Sequence, residues 1–135
     1  MNNSLIFMTT TTNSSVLENG VIPLTTVQRK RCRSIQNGTN SIILNSPGYY
    51  KVNASITFTA PAAGDISIVL QKNNIDVPGI TASTTITTAT TEVRTLNISG
   101  IVRVFCNEGI ATLTLVNSGL AATIQNVAFD VEYLD

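Results

Sequence analysis

Residue patterning predicts an all-β fold, a two-layer antiparallel sandwich or jelly roll of about eight to ten short strands. Three observations carry this reading. From Tyr50 to Phe58 the even positions Tyr50, Val52, Ala54, Ile56 and Phe58 are apolar, and the odd positions Lys51, Asn53, Ser55 and Thr57 are polar. A strict period of two puts one set against a core and the other towards solvent or a partner, whereas a helix would spread both sets around its circumference. Charged residues are only 12% of the chain, against about 25% in ordinary globular domains. Thr, Ser, Asn, Val and Ile dominate instead, and β-branched residues favour extended backbone. Finally, Asn, Gly and Pro turn signals recur between short apolar runs, and no stretch keeps a helical period.

In chain order, residues 1–20 have no sustained period and include the run Thr9–Thr12, so they read as a flexible arm ahead of a folded domain at 21–135. Within the arm, Leu5, Ile6, Phe7 and Met8 form a compact apolar run. That run either docks on the sheet edge of another protein as an attachment segment or opens the fold's own sheet. Val21–Leu24 predicts a short strand that Pro23 confines to an edge. Gln28–Gln36 predicts the next, and Asn37-Gly38 the tight turn that pairs it with Ser41–Leu44. Pro47-Gly48 opens the long strand ending at Thr59, with Tyr50, Val52, Ile56 and Phe58 in the core. Asp65–Lys72 alternates, with Ile66, Ile68 and Leu70 on one face, and Lys72–Ile75 turns it back into Asp76–Ile80. Thr81–Thr91 and Glu92–Ser99 add strands on propensity. Ile101–Cys106 is apolar on both faces, Val102, Val104 and Cys106 against Ile101 and Phe105, which predicts burial on both sides. Turns at 107–109 and 117–119 bound the strand Ile110–Val116. Ala122–Leu134 ends the fold with Val127, Phe129, Val131 and Tyr133 towards the core and Asp130 and Glu132 away from it.

A chain of 135 residues suits one core that needs neither disulfides nor metals. Formal net charge is zero, so no overall field draws nucleic acid or an anionic membrane. Leu5–Met8 lacks the basic flank and the length of a signal peptide's apolar segment. No segment approaches a membrane span, so the expectation is a soluble protein made in a cytoplasm. Cys32 and Cys106 read as two unbonded thiols, too few and too distant for a disulfide framework or a metal knuckle.

Catalytic chemistry has little to use. The chain has no His, which removes the commonest general base and metal ligand, and it has neither a Gly-rich phosphate loop nor a serine elbow. A glycosidase pair would need Asp65 and Asp130 to converge. Calcium would need Asp65, Asp76 or Glu108, without the oxygen spacing of an EF-hand loop. The expectation is a non-enzyme with no cofactor and no metal. Asn37, Asn53 and Asn97 head Asn-X-Ser/Thr triplets of the kind that arise by chance in so Asn- and Thr-rich a chain. Arg29, Lys30, Arg31 and Arg33 crowd together, but no aromatic residues alternate with them, so nucleic acid is not expected as a partner.

Three segments in this order and spacing, Pro47-Gly-Tyr-Tyr-Lys-Val52, Gly64-Asp-Ile-Ser-Ile-Val-Leu-Gln-Lys-Asn-Asn-Ile-Asp-Val77 and Val127-Ala-Phe-Asp-Val-Glu-Tyr-Leu134, resemble the tumour-necrosis-factor-like jelly roll. That fold also forms complement heads and the heads of collagen-like bacterial surface proteins. The resemblance spans 21–135, and the chain is also similar to small stand-alone structural proteins of phages and prophages of gram-positive bacteria. Collagen Gly-X-Y repeats are absent from it.

The resemblance implies a tight homotrimer. It also places the N-terminal strand beside the last one, so that Arg29, Lys30, Arg31 and Arg33 would pair with Asp130, Glu132 and Asp135, and it keeps Cys32 and Cys106 too far apart to bridge. The residues support the trimer independently, because Tyr49, Ile101 and Phe105 lie opposite an already apolar face. Burying each such side chain contributes roughly 1.5 to 3 kcal/mol, and either a threefold interface or a loop of a monomer would cover them. Two functions follow. One is a virion structural protein made in the host cytoplasm, a capsid decoration or a head or tail fibre knob, with capsid or other virion proteins as partners. The other is a trimeric bacterial or viral surface module that recognises a cell-surface glycan or protein. Neither involves nucleic acid or a membrane.

Overall fold

A computed structural model describes residues 4–31 and 34–134. In chain order the strands are β1 Leu5–Thr10, β2 Ser14–Val16, β3 Thr26–Arg31, β4 Ile35–Gly38, β5 Ser41–Leu44, β6 Gly48–Thr59, β7 Gly64–Lys72, β8 Ile75–Ile86, β9 Arg94–Val104, β10 Ala111–Asn117 and β11 Ala122–Leu134. Among the described residues there is no helix. The first sheet runs β3-β1-β11-β6-β9, with β2 also on β11, and the second runs β4-β5-β10-β7-β8. Every pairing is antiparallel. The alternation in β6 is realised as expected: Tyr50, Val52, Ala54, Ile56 and Phe58 are buried. They meet Ile66, Ile68, Leu70, Leu113 and Leu115 of the second sheet in a single core, together with Phe129 and Val131 of β11.

The expected arm is corrected. Its apolar run is an interior strand: β1 pairs with β11 from Leu5↔Glu132 to Thr10↔Val127 and with β3 on its other side. Ile6 and Met8 point into the core and Leu5 and Phe7 away from it, so Leu5–Met8 opens the fold's own sheet. Thr10 takes a core-facing place because its hydroxyl is satisfied there, donating to the Pro23 carbonyl at 2.7 Å and accepting the Thr25 N–H at 3.1 Å. Ser14–Val16 also joins the sheet, with Val16 buried.

Other boundaries shift for identifiable reasons. Val21–Leu24 is a buried connection rather than a strand. Val21 makes one bridge to Val116, the Ile22 N–H reaches the Leu115 carbonyl at 2.8 Å, and Ile22 and Leu24 fill the core. The expected Gln28–Gln36 strand divides into β3 and β4, which belong to different sheets, so the chain crosses the sandwich there. The tight turn is Thr39-Asn40, not Asn37-Gly38, since Gly38 pairs with Ser41. Asn40 holds the left-handed conformation at φ 51° and its side chain accepts the Leu24 N–H at 3.1 Å, a tie that fixes the turn at this residue. Asn73 and Asn74, at φ 53° and 68°, form the β7–β8 turn and match the primed geometry that suits a twisted hairpin. Asp76–Ile80 and the start of the Thr-rich stretch merge into β8, and Glu92–Ser99 merges with Ile101–Val104 into β9.

The loop between β8 and β9 is organised by Glu92. Its carboxylate accepts the Thr87 hydroxyl at 2.8 Å and the Thr87 and Thr88 N–H groups at 3.0 Å each, and pairs with Arg94 at 2.6 Å. These contacts hold the carboxyl down at about 2. Tyr133, expected in the core, is only half-buried. Its ring stands edge-on to Tyr50 with centroids 5.2 Å apart and packs against the rim of the core. Gly48 lies directly under that ring at φ 140°, and a Cβ there would come within 2.7 Å of Tyr133.

Candidate functional site

The outward side chains of the first sheet form rows that follow from the registers. Leu134, Tyr49 and Arg103 lie side by side across β11, β6 and β9. The next row is Arg31, Leu5, Glu132, Lys51 and Ile101, and the one below it is Arg29, Phe7, Asp130, Asn53 and Ser99. Further rows are neutral, among them Thr9, Ala128, Ser55 and Asn97, so one end of the face is apolar and charged and the other is hydroxyl- and amide-lined.

At the apolar end Tyr49 is 49% exposed, Ile101 59% and Phe105 46%. The expectation that Ile101–Cys106 is buried on both sides is therefore corrected for the single chain: Val102 and Val104 are buried, whereas Ile101, Phe105 and Cys106 face outward. Cys106 is a free, exposed thiol, and its expected relation to Cys32 lies outside the described residues.

Phe105 is exposed but fixed. The Arg103 guanidinium lies 4.3 Å from its ring centroid and 5.5 Å from that of Tyr49, and the Lys72 ammonium is 5.5 Å from the Phe105 ring. Lys72 donates to the Arg103 carbonyl at 2.9 Å and pairs with Glu108 at 3.0 Å. Glu108 in turn accepts the Phe105 N–H at 2.8 Å. That N–H first, and Lys72 second, hold the Glu108 carboxyl below its ordinary value. The result is an aromatic anchor ordered before any partner arrives, which lowers the entropic cost of covering it. Beside it, Ile75, Val77, Pro78, Ile101, Phe105 and Lys72 border an open cleft of about 520 Å³.

Asp130 occupies the middle of the face. Partial burial first, and the neighbouring Glu132 second, raise its carboxyl above the ordinary value, while Asn53 and Lys51 oppose the shift. The expected pairing of Arg29, Lys30 and Arg31 with Asp130 and Glu132 is corrected, because β1 lies between β3 and β11 and inserts Leu5 and Phe7 between the two sets of charges, while Arg33 and Asp135 lie outside the described residues.

The carboxylates considered for chemistry do not converge. Asp65 projects from the second sheet, where it accepts the Thr85 hydroxyl at 2.8 Å, and Asp130 projects from the opposite side of the sandwich. Asp76 accepts the Gln71 amide and Glu108 is engaged by Lys72. Among the described residues no three His, Cys, Asp or Glu side chains cluster as metal ligands would. Sequence reasoning found Tyr49, Ile101 and Phe105 but missed Leu134, Arg103 and Ile75 at the same end of the fold. Leu134 carried a usable signal, since it shares the outward parity of Asp130 and Glu132.

By sequence, the chain matches no protein-family model and no curated protein. By structure, it is similar to the tumour necrosis factor Eiger of S. frugiperda, with 12% identity over 100% of this chain and 94% of that one and a TM-score of 0.70. It is similar to the globular domain of the zebrafish complement 1qA protein, 9% identical over 98% of each chain with a TM-score of 0.69. The vertex protein P5 of PRD1 aligns over 100% of this chain and 99% of its own, with 11% identity and a TM-score of 0.66. The fold is the tumour-necrosis-factor-like jelly roll. In this jelly roll the first sheet, β3-β1-β11-β6-β9, carries the candidate face, and the second carries the neutral Ser67, Ser83 and Thr85 beside Asp65.

Proposed function

We propose that the protein is a non-enzymatic structural component of a phage particle, a homotrimer that decorates the capsid or forms the knob of a head or tail fibre. The observation that carries this reading is the anchored apolar end of the first sheet. There Tyr49, Leu134, Ile101 and Phe105 remain in water in one chain although Arg103, Lys72 and Glu108 hold Phe105 in a fixed position. Since each is already partly covered, leaving them so forgoes about half of the roughly 1.5 to 3 kcal/mol that full burial of such a side chain contributes, and a threefold contact between copies would bury them. The likeness of the fold to a vertex protein supports the place on a particle. Absence of His from the sequence and the opposed placement of Asp65 and Asp130 support a role without catalysis. Such a component would be made in the host cytoplasm, with capsid or other virion proteins as its partners. Native mass spectrometry tests the assembly: the expected species has three times the 14.4 kDa of one chain, and a monomer at micromolar concentration overturns it. Cryo-electron microscopy of particles, with the protein located in the density, tests the place.

A second reading is a trimeric surface module that recognises a cell-surface glycan or protein. It is favoured by the hydroxyl-lined cleft of about 410 Å³ formed by Asp65, Ser67, Ser83, Thr84 and Thr85 on the second sheet, a surface of hydrogen-bonding groups suited to a neutral sugar. Glycan-array binding lost on Ser83→Val supports it, and no binding to any glycan or cell surface removes it.

A further inference from the structure

The edge opposite Phe105 has a different character. β3 pairs with β1 on one side, and among the described residues no strand pairs on its other side. All six of its residues are exposed. Arg29, Lys30 and Arg31 are three of the chain's eight Lys and Arg residues, placed consecutively on this edge. Three of the other described cations are engaged, Lys72 with Glu108, Arg94 with Glu92 and Arg103 between two rings, and the fourth, Lys51, stands next to Glu132 across the β6–β11 ladder. Among the described residues Arg29 donates to the Gln28 carbonyl at 2.9 Å and Lys30 to the Asn37 side chain at 3.2 Å, both neutral oxygens, and Arg29 borders a cleft with Asp130 and Glu132 without forming a salt bridge to either. Positive charge in a chain of zero net charge is thus concentrated on an open backbone ladder.

We propose that the free edge of β3 takes up an extended acidic segment of another protein as an added strand. Two features select this occupant. First, the cations lie on both sides of the strand. Arg29 and Arg31 project with Phe7 and Leu5 on the outer face, while Lys30 reaches across the rim of the sandwich to Asn37 of β4. A nucleic-acid backbone or a sulfated glycan crossing one side meets part of this set, whereas an added strand with acidic side chains at successive positions meets all of it. Second, only a polypeptide uses the unpaired N–H and C=O groups of the edge in alternation. The same charges repel basic strands, a second copy of β3 among them, and gain no counter-charge from neutral ones, so the edge is protected from self-pairing and favours one class of partner. The site is on the opposite edge from Phe105 and does not depend on the threefold contact.

The test uses the full chain and four probes: a short synthetic peptide with consecutive Glu residues between flanking Val and Thr residues, so that carboxylates face both sides of the added strand, its Lys counterpart, a heparin oligosaccharide and single-stranded oligothymidylate. Binding is read by fluorescence anisotropy, and backbone hydrogen exchange is read residue by residue. The Glu peptide is expected to bind, to slow exchange at β3 amides, and to weaken as salt rises. Its affinity should fall roughly tenfold in Arg29→Gln/Arg31→Gln, the loss of two exposed ion pairs, in a variant whose thermal unfolding matches the parent; Arg31→Gln alone should give a smaller loss in the same direction. Failure of the Glu peptide to bind at low salt, binding that leaves β3 exchange unchanged, or equal affinity in the variants overturns the proposal. So does tighter binding of heparin or oligothymidylate, which would make the edge a general polyanion site.

Discussion

The two edges of the first sheet carry similar numbers of cations and use them differently. On β9, Arg103 is held between Tyr49 and Phe105, and Lys72 supports the turn that presents Phe105. On β3, Arg29, Lys30 and Arg31 are exposed and form no salt bridge among the described residues. A cation packed on aromatic rings and paired with an acid stiffens its own surroundings, whereas a cation left on an open edge raises the local potential and waits for a counter-charge. One edge is built for shape, the other for charge.

The largest expected effect breaks the contrast in assembly. Phe105→Lys should convert the proposed trimer to a monomer, because it removes the aromatic anchor and sets an ammonium beside Arg103 and Lys72, and a buried unpaired cation at a threefold seam costs several kcal/mol in each of its copies. Val27→Glu on β3 should leave the trimer intact. Size-exclusion chromatography with light scattering reads both. A smaller effect tests the support of Phe105. The folded Glu108 carboxyl titrates below its ordinary 4.5, so its contribution is fully present above that pH and is lost as the pH falls through the lower folded value. Glu108→Gln should therefore cost about 1 kcal/mol near neutrality and nothing in strong acid, as measured by urea unfolding at both pH values. The smallest effect compares the cations themselves. Arg103→Gln should cost about 0.5 to 1 kcal/mol, while Arg31→Gln should be neutral or stabilise by a few tenths of a kcal/mol, and only the second change should disappear in high salt.

Legibility in the sequence followed the clarity of alternation. β6 and β11 were readable because each has one apolar and one polar parity, and the same rule placed Tyr50, Phe58, Phe129 and Val131 in the core. β1 was not, because Leu5 and Phe7 are apolar on the outward parity and Thr10 is polar on the inward one, which erases the period. What makes that segment a strand is the cover supplied by β3 and β11, distant in sequence. The crossing between β3 and β4 was hidden for a related reason: a run of long cations shows no periodicity, and residue type alone does not say which sheet the chain joins. At the candidate face, Tyr49, Ile101 and Phe105 stood out as apolar residues at outward positions. Arg103 and Glu108 did not, since their role depends on the shape of the turn after β9 and on Lys72 reaching over from β7 rather than on any motif.

The position of β1 governs when the molecule can form. Leu5 lies opposite Glu132, so β11 at the middle of the first sheet takes up a partner far away in sequence, and β6 too pairs with β11 along almost its whole length. Contacts of such sequence separation must close very large loops before they repay any entropy, which makes folding slow. During synthesis the first sheet cannot be completed until the thirteen residues of β11 have emerged. The early chain, with Ile6 and Met8 uncovered, is then exposed to aggregation until β11 arrives.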